Sequence, residues 1–218
     1  MADAVKVFFL LLTALFPIVD PLSGSPIFLA LTQQYSPETR RGLAWRVALN
    51  SLYLMVGSYF IGANVLKFFG VSLPVVQVGG GLVVVAMGWG TLMQEAVTDV
   101  SRKTIQNPDV FHRAFYPLTL PLTVGPGSIS VAVTLGANST HRYGLHILLI
   151  ISALLAMGLI SISIGLCYGF ADRLARRLGK TSMTVIVRLS AFLLVCIGVQ
   201  IMWNGISALL LSVRFLIR

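Results

Sequence analysis

The chain has 218 residues, of which 56% are hydrophobic and only 11% are charged. A soluble domain carries about 25% charged residues, so this composition excludes an ordinary water-exposed surface and predicts a membrane protein. The net charge of +9 comes from bases in short loops between apolar runs. It does not form a basic stripe with interleaved aromatic residues, which disfavours nucleic-acid binding.

The first half of the chain predicts three membrane spans, because each crossing takes about 20 mostly apolar residues. The first apolar run, residues 5–19, lacks a cleavage site and is interpreted as a retained span rather than a signal peptide. Span 1 is predicted over residues 5–32 with an interruption at DPLSGSP (20–26), span 2 over 43–66 and span 3 over 73–94.

The second half predicts three more spans after a long polar stretch. Residues 95–116 are interpreted as a cytoplasmic linker. Span 4 is predicted over 117–137 with an interruption at PLTVGPG (121–127), span 5 over 145–170 and span 6 over 183–211, and a basic loop over 171–182 separates the last two.

The two interruptions align with each other. FPIVDPLSGSP (16–26) matches YPLTLPLTVGP (116–126) at an offset of 100 with three prolines in register, and Gly88 matches Gly198 more weakly at an offset of 110. Three spans per copy is an odd number, so the second copy must cross the membrane in the opposite sense, as in many secondary transporters. The sequence therefore predicts an all-α membrane protein of two inverted three-helix repeats, residues 1–94 and 117–218, with spans 1 and 4 broken near the midplane.

The distribution of bases predicts the orientation. The loops between spans 1 and 2, 3 and 4, and 5 and 6 carry ten Lys and Arg residues, whereas the opposite side carries five. Since the side richer in bases faces the cytoplasm, both termini are expected outside it.

Each interruption is predicted to end one half-helix and to start another. Asp20 and Leu120 each precede a proline, and the residue before a proline disfavours helix. Ser25-Pro26 and Gly125-Pro126 are interpreted as the starts of the second half-helices, because Ser is a favoured N-cap and proline is favoured in a first turn.

These half-helix ends predict a site for a zwitterion. Helix N-termini that meet near the midplane suit a carboxylate, and carbonyls near Val19 and Thr119 suit an ammonium group. Glycines at the breaks let backbone approach a ligand, although the alternative is that they only allow helices to cross closely. The predicted substrate-binding residues are Asp20, Ser23, Gly24, Ser25, Thr123, Gly125, Gly127 and Ser128.

Asp20 is the one acid inside a predicted span. An intramembrane carboxylate indicates function by default, so Asp20 is a candidate for binding the substrate ammonium or for carrying a coupling proton. The alternative is that it caps the free N–H groups of Leu22 and Ser23.

Other residues fit structural roles better. The run Gly79-Gly80-Gly81 predicts close packing in span 3, and Cys167 and Cys196 are interpreted as packing residues. Polar residues inside the spans either line the cavity or join helices by hydrogen bonds; they are Asn50, Ser51, Gln77, Gln200 and Asn204. We expect no enzyme, no cofactor and no metal site, because the sequence offers no nucleophile–base pair, phosphate loop or ligand cluster.

Four segments carry a resemblance to the MarC family of bacterial and archaeal inner-membrane proteins. They are DPLSGSPIF (20–28), VGGGL (78–82), PLTVGPGSIS (121–130) and RLSAFLLVCIGVQIMWNGI (188–206). The resemblance touches both repeats and implies six spans, an inner-membrane location and a role in moving small neutral amino acids such as glycine and alanine.

The leading hypothesis is therefore a secondary transporter of small neutral amino acids, with H⁺ or Na⁺ as the candidate coupling ion. A second hypothesis, from another class, is a non-transporting membrane scaffold or partner protein. A third is a passive channel for small polar solutes. Saturable binding with two access states distinguishes the transporter from the scaffold, and coupling to an ion gradient distinguishes it from the channel.

Overall fold

A computed structural model describes residues 2–93, 114–143 and 146–216, so most of the predicted linker lies outside the described residues. The described part is all-helical, as predicted. Its helices are α1 (Ala2–Val19), α2 (Pro21–Leu31), α3 (Pro37–Phe68), α4 (Leu73–Met93), α5 (Pro126–Tyr143), α6 (Ile147–Gly169) and α7 (Ala171–Leu216). A wide π-helical segment, Phe115–Thr123, precedes α5.

Five stretches of the described chain are long and apolar enough to cross a membrane. They are Asp3–Leu31, Pro37–Phe68, Leu73–Met93, Ile147–Gly169 and Thr181–Ser212. Large apolar side chains such as Phe9, Leu82 and Trp203 remain exposed on the outside of this bundle. Such a surface suits lipid, because a soluble monomer rarely exposes so much contiguous apolar area.

Predicted span 4 corresponds to the Phe115–Thr123 segment and α5, which are not among these five stretches. Helix α5 packs against α1, α3 and α4. Its Ser128, Ser130 and Gly136 are buried, and a Cβ on Gly136 would collide with the backbone of Tyr59. Because protein rather than lipid covers much of α5, a low hydropathy is tolerated there. Six spans stay a prediction.

Helices α4 and α7 form the most extensive helix pair, and glycines bring their backbones together. A Cβ on Gly88 would lie 2.8 Å from the Ala191 carbonyl oxygen and 3.0 Å from the Val195 nitrogen. On the other helix, a Cβ on Gly198 would lie 2.8 Å from the Gly81 carbonyl oxygen and 2.7 Å from the Val85 nitrogen.

The glycine run of α4 packs as predicted at two of its three positions. Gly81 abuts Gly198 and Met202, and Gly80 abuts Ser130, whereas Gly79 has open space where a Cβ would stand. The prediction that Gly79 allows close packing is therefore wrong. Consecutive residues on a helix point about 100° apart, so three adjacent glycines cannot all face one neighbour.

Two predicted loops are partly helical. Helix α3 begins at Pro37, because the Ser36 hydroxyl caps it by accepting from the Thr39 N–H at 3.2 Å. Residues 171–182, predicted as a basic loop, belong to α7, which is interrupted at Gly179 (φ 72°, ψ 166°). Basic residues are good helix formers, and only the glycine there adopts the left-handed region.

Candidate functional site

The first break is a single residue wide. Asp20 joins α1 to α2 in the left-handed region (φ 41°, ψ 68°), and its Oδ1 accepts a hydrogen bond from the Ser23 N–H at 3.3 Å. Asp tolerates this conformation better than most residues. Asp20 is therefore the N-cap and α2 begins at Pro21. The prediction that Ser25-Pro26 starts this half-helix is wrong.

Ser25 has a different role inside α2. Its side chain is fully buried, and its hydroxyl donates to the Leu22 carbonyl at 2.8 Å. In a regular helix that carbonyl would accept from the N–H of residue 26, but Pro26 has none. The Ser25 hydroxyl replaces the missing donor, which lets a proline remain inside the half-helix.

The second break is wider and lies where predicted. Leu120 is non-helical (φ −108°, ψ 126°), Val124 is extended and α5 starts at Pro126. Hydroxyls again satisfy backbone carbonyls here, since Thr119 donates to Ala114 and Thr123 donates to Leu118. The Thr119 carbonyl accepts from the Val124 N–H at 2.9 Å, which leaves one of its two lone pairs for an ammonium group.

A small cavity opens at the second break. It has a volume of about 20 Å³, which is room for one water molecule. Four of the predicted site residues line it, namely Thr123, Gly125, Gly127 and Ser128, together with Ile18, Val84, Met87, Leu122 and Leu194. The predicted residues of the first break, Asp20, Ser23, Gly24 and Ser25, do not line it.

The N-terminus of α5 gives this cavity an electropositive wall. The N–H groups in the first turn of a helix lack intrahelical partners and carry about half a positive charge together. Gly125, in the N-cap position, has no side chain to satisfy them. None of the lining residues is acidic. This wall therefore suits an anionic group such as a carboxylate.

Gly127 has a packing role in addition to lining the cavity. A Cβ there would collide with the Val84 side chain of α4. Because Gly127 has no side chain, the first turn of α5 lies close to α4. This agrees with the alternative that glycines at the breaks allow helices to cross closely.

The first break holds two unsatisfied polar atoms. Asp20 Oδ2 and Ser23 Oγ are buried and have no hydrogen-bond partner among the residues that the structure describes. Buried polar atoms are almost always paired, so these two oxygens have capacity to bind a water, an ion or a ligand. One Asp20 oxygen therefore caps the Ser23 N–H, as one of the two alternatives predicted. The other oxygen can still accept a hydrogen bond.

Tyr168 in α6 joins the two breaks, although the sequence did not single it out. Its side chain is fully buried, and its hydroxyl lies 3.0 Å from Thr123 Oγ1. A Cβ added to Gly24 would collide with the same hydroxyl. The residues of the two breaks therefore converge on Tyr168 rather than on one open pocket. No local motif signals this role, because the contacts are distant in sequence.

Arg40 is a second residue that the sequence analysis did not assign to the site region. Its buried guanidinium donates to the carbonyls of Thr32 (3.3 and 3.2 Å) and Tyr35 (3.2 Å) and pairs with the Asp172 carboxylate. Cations stabilise helix C-termini, and Thr32 is the C-cap of α2. Arg40 thus ties the end of α2 to the first turn of α7.

The remaining polar candidates lie elsewhere. The Gln200 side-chain amide donates to Asn204 Oδ1 at 3.0 Å on an exposed face, which fits a hydrogen-bonded surface pair. Ser51 Oγ, in α3, is buried and unpartnered among the described residues. Within the same residues, no three His, Cys, Asp or Glu side chains are grouped as metal ligands would be.

Comparison with known proteins finds similarity along almost the whole chain. A model of the family described as "MarC family integral membrane protein" matches residues 5–210. The chain is 30% identical over 215 residues to the UPF0056 inner membrane protein MarC of Escherichia coli, covering 94% of this chain and 96% of that protein. It is 27% identical over 213 residues to a UPF0056 membrane protein of Archaeoglobus fulgidus, covering 97% and 98%. No solved structure matches the chain.

Proposed function

Since this chain belongs to the MarC family of integral membrane proteins, we propose that it is a secondary transporter of small neutral amino acids. The inner membrane is the proposed location, in keeping with the name of its Escherichia coli relative. Glycine and alanine are the proposed substrates, and H⁺ or Na⁺ is the proposed coupling ion.

One observation carries this proposal: the first break offers a hydrogen-bond acceptor, and the second offers hydrogen-bond donors. The first break offers the unpartnered Asp20 Oδ2, an acceptor for an ammonium group. The second offers the first-turn N–H groups of α5, donors for a carboxylate. A neighbour of each group, Gly24 at the first break and Thr123 at the second, lies against the Tyr168 hydroxyl. The narrow cavity favours a substrate with a small side chain.

Related contacts between α4 and α7 support an inverted repeat. At the offset of 110, positions 81, 85 and 88 correspond to positions 191, 195 and 198. The contacts of Gly88 with Ala191 and Val195 then map onto those of Gly198 with Gly81 and Val85, with similar distances to equivalent atoms. A pseudo-two-fold axis between the two helices accounts for this equivalence. Inverted repeats are the usual architecture for alternating access around a midplane site.

Reconstituted protein tests the transport proposal directly. Purified protein in liposomes is expected to take up labelled glycine or alanine with saturation, and an imposed H⁺ or Na⁺ gradient is expected to drive accumulation. Liposomes without protein are the control. Non-saturable flux that ignores both gradients would indicate a channel. A folded protein that neither binds nor moves either amino acid would indicate a scaffold.

A further inference from the structure

The Tyr168 side chain is fixed in orientation. It is fully buried in α6, and its ring stacks on Phe28 of α2 with centroids 4.6 Å apart and an interplanar angle of 17°. The ring therefore has little freedom to rotate, and the position of the hydroxyl is set by α2 and α6 together.

The hydroxyl touches both breaks. On one side it lies 3.0 Å from Thr123 Oγ1, which belongs to the wall of the cavity. On the other side it occupies the space that a side chain at Gly24 would need. The same oxygen thus contacts a residue of the cavity wall and packs against the first turn of α2, although Tyr168 itself does not line the cavity.

The hydrogen bonds around Thr123 leave acceptor capacity on the Tyr168 oxygen. The Thr123 hydroxyl donates its one hydrogen to the Leu118 carbonyl at 2.7 Å. Tyr168 must therefore donate to Thr123, and no described residue donates to the Tyr168 oxygen in return. The Gly24 N–H, beside this hydroxyl, donates to the Asp20 carbonyl at 3.1 Å, so Asp20 stands at the same helix start that Tyr168 packs against. This combination suits a cationic donor such as an ammonium group.

We propose that Tyr168 contacts the substrate, accepting a hydrogen bond from its amino group and limiting the size of its side chain. This proposal rests on the proposed transport function and deepens it. The present cavity of about 20 Å³ holds one water molecule, so an amino acid enters only if the surrounding side chains yield space. The hydroxyl between Thr123 and Gly24 then decides how much space is left for a side chain.

Removal of this hydroxyl tests the proposal through selectivity. Binding of glycine and of alanine is measured separately on purified wild type and Tyr168→Phe in detergent. Glycine affinity is expected to fall about tenfold with the loss of one hydrogen bond to a charged group. Alanine affinity is expected to fall less, so the ratio of the two affinities shifts toward alanine by about threefold or more.

A matched control comes from Tyr59 of α3, which is also buried and lies against Gly136, well beyond the N-terminus of α5. Tyr59→Phe removes one hydroxyl from the same kind of environment and is expected to leave the ratio unchanged. Thermal stability is measured on each variant to separate a loss of folding from a loss of binding.

A double substitution provides a second measurement. Gly24→Ala places a methyl group against the hydroxyl and is expected to lower both thermal stability and binding. Adding Tyr168→Phe removes the colliding oxygen and leaves ring carbons at 3.2 and 3.3 Å, which need only a small adjustment. Partial recovery of stability and binding is expected for this pair, and none when Tyr59→Phe is added instead.

The outcomes separate this proposal from the proposed function. Unchanged affinities for both amino acids in a folded Tyr168→Phe would overturn the contact with substrate and leave transport standing, and an equal fall in both would overturn the limit on side-chain size. Failure of folded wild-type protein to bind either amino acid would overturn both. A ratio that moves equally in Tyr59→Phe would also overturn the assignment to Tyr168.

Discussion

At the scale of single residues, the first break depends on one carboxylate with two tasks. Asp20 adopts a left-handed backbone conformation, which costs most residues about 1–3 kcal/mol and is tolerated by Asp and Asn. One of its oxygens caps α2, while the other is buried without a partner among the described residues. The two tasks can be separated by substitution.

Asp20→Asn is expected to preserve folding and to weaken ligand binding. Asn tolerates the same backbone and its amide oxygen can still accept from the Ser23 N–H, so the melting temperature should stay close to that of wild type. The amide also removes the negative charge, so glycine affinity should fall about tenfold or more. Asp20→Ala should lower stability as well, by about 1–2 kcal/mol for the lost cap. Unchanged glycine affinity in Asp20→Asn would mean that the carboxylate has only a structural role.

Gly125→Val is expected to abolish binding while the protein still enters the membrane. Gly125 lines the cavity at the start of α5, where a branched side chain would stand between the first-turn N–H groups and a bound carboxylate. Valine is more apolar than glycine, so the substitution does not weaken membrane insertion, and expression should persist. Gly79→Val is the matched control, because the space around Gly79 is open and neither binding nor stability should change. Normal glycine affinity in Gly125→Val would remove α5 from the site.

At the scale of secondary-structure elements, hydroxyl groups allow prolines to remain in broken helices. The Ser25 hydroxyl supplies the hydrogen bond that Pro26 cannot make to the Leu22 carbonyl. In α6, Ser163 makes a similar bond to the Ile160 carbonyl at 2.6 Å, but residue 164 is Ile and keeps its N–H. The two serines therefore form a natural comparison.

Ser25→Ala is expected to destabilise the protein by about 1–3 kcal/mol, because it leaves the Leu22 carbonyl without a donor. Ser163→Ala should cost much less, since the Ile160 carbonyl retains its helical partner. Thermal unfolding in detergent measures both. Equal losses of stability in the two variants would mean that the missing N–H of Pro26 does not make the Leu22 carbonyl dependent on the Ser25 hydroxyl.

The same elements explain what the sequence could predict. The second break was placed correctly because Leu120-Pro121 and Gly125-Pro126 act through local backbone rules. At the first break, the end of α1 before Asp20-Pro21 was also placed correctly, but the start of α2 was not, because Ser25-Pro26 has the pattern of a helix start while the Asp20 cap begins α2 five residues earlier. Tyr168 and Arg40 were missed because their contacts are distant in sequence and no spacing rule describes them.

At the scale of the whole molecule, the basic loops favour one orientation in the membrane, and the Arg40–Asp172 ion pair lies among them. Arg40 and Asp172 join the start of α3 to the start of α7, within two of the three loop regions that the sequence predicts to be rich in bases. By the positive-inside rule the side of these loops is proposed to be cytoplasmic. An ion pair that holds α2 there would restrain opening of the site toward the cytoplasm.

Reporter fusions test this orientation. An enzyme reporter that is active only outside the cytoplasm should be active when fused after Arg218 and inactive when inserted after Gly179. A reporter that is active only inside should give the opposite pattern. A C-terminus in the cytoplasm would contradict the proposed topology. If the insertion at Gly179 were then outside the cytoplasm, the whole orientation would be reversed.

The protein covering of α5 has a consequence for biosynthesis. A segment passes from the translocon into lipid when its apolar side chains make the free energy of insertion favourable. Helix α5 is not among the stretches that are long and apolar enough to cross a membrane. Its neighbours α1, α3 and α4 cover its buried serines and glycines, and all three precede α5 in the chain. The first three spans are therefore synthesised before α5 and supply much of the protein surface that its buried serines and glycines pack against.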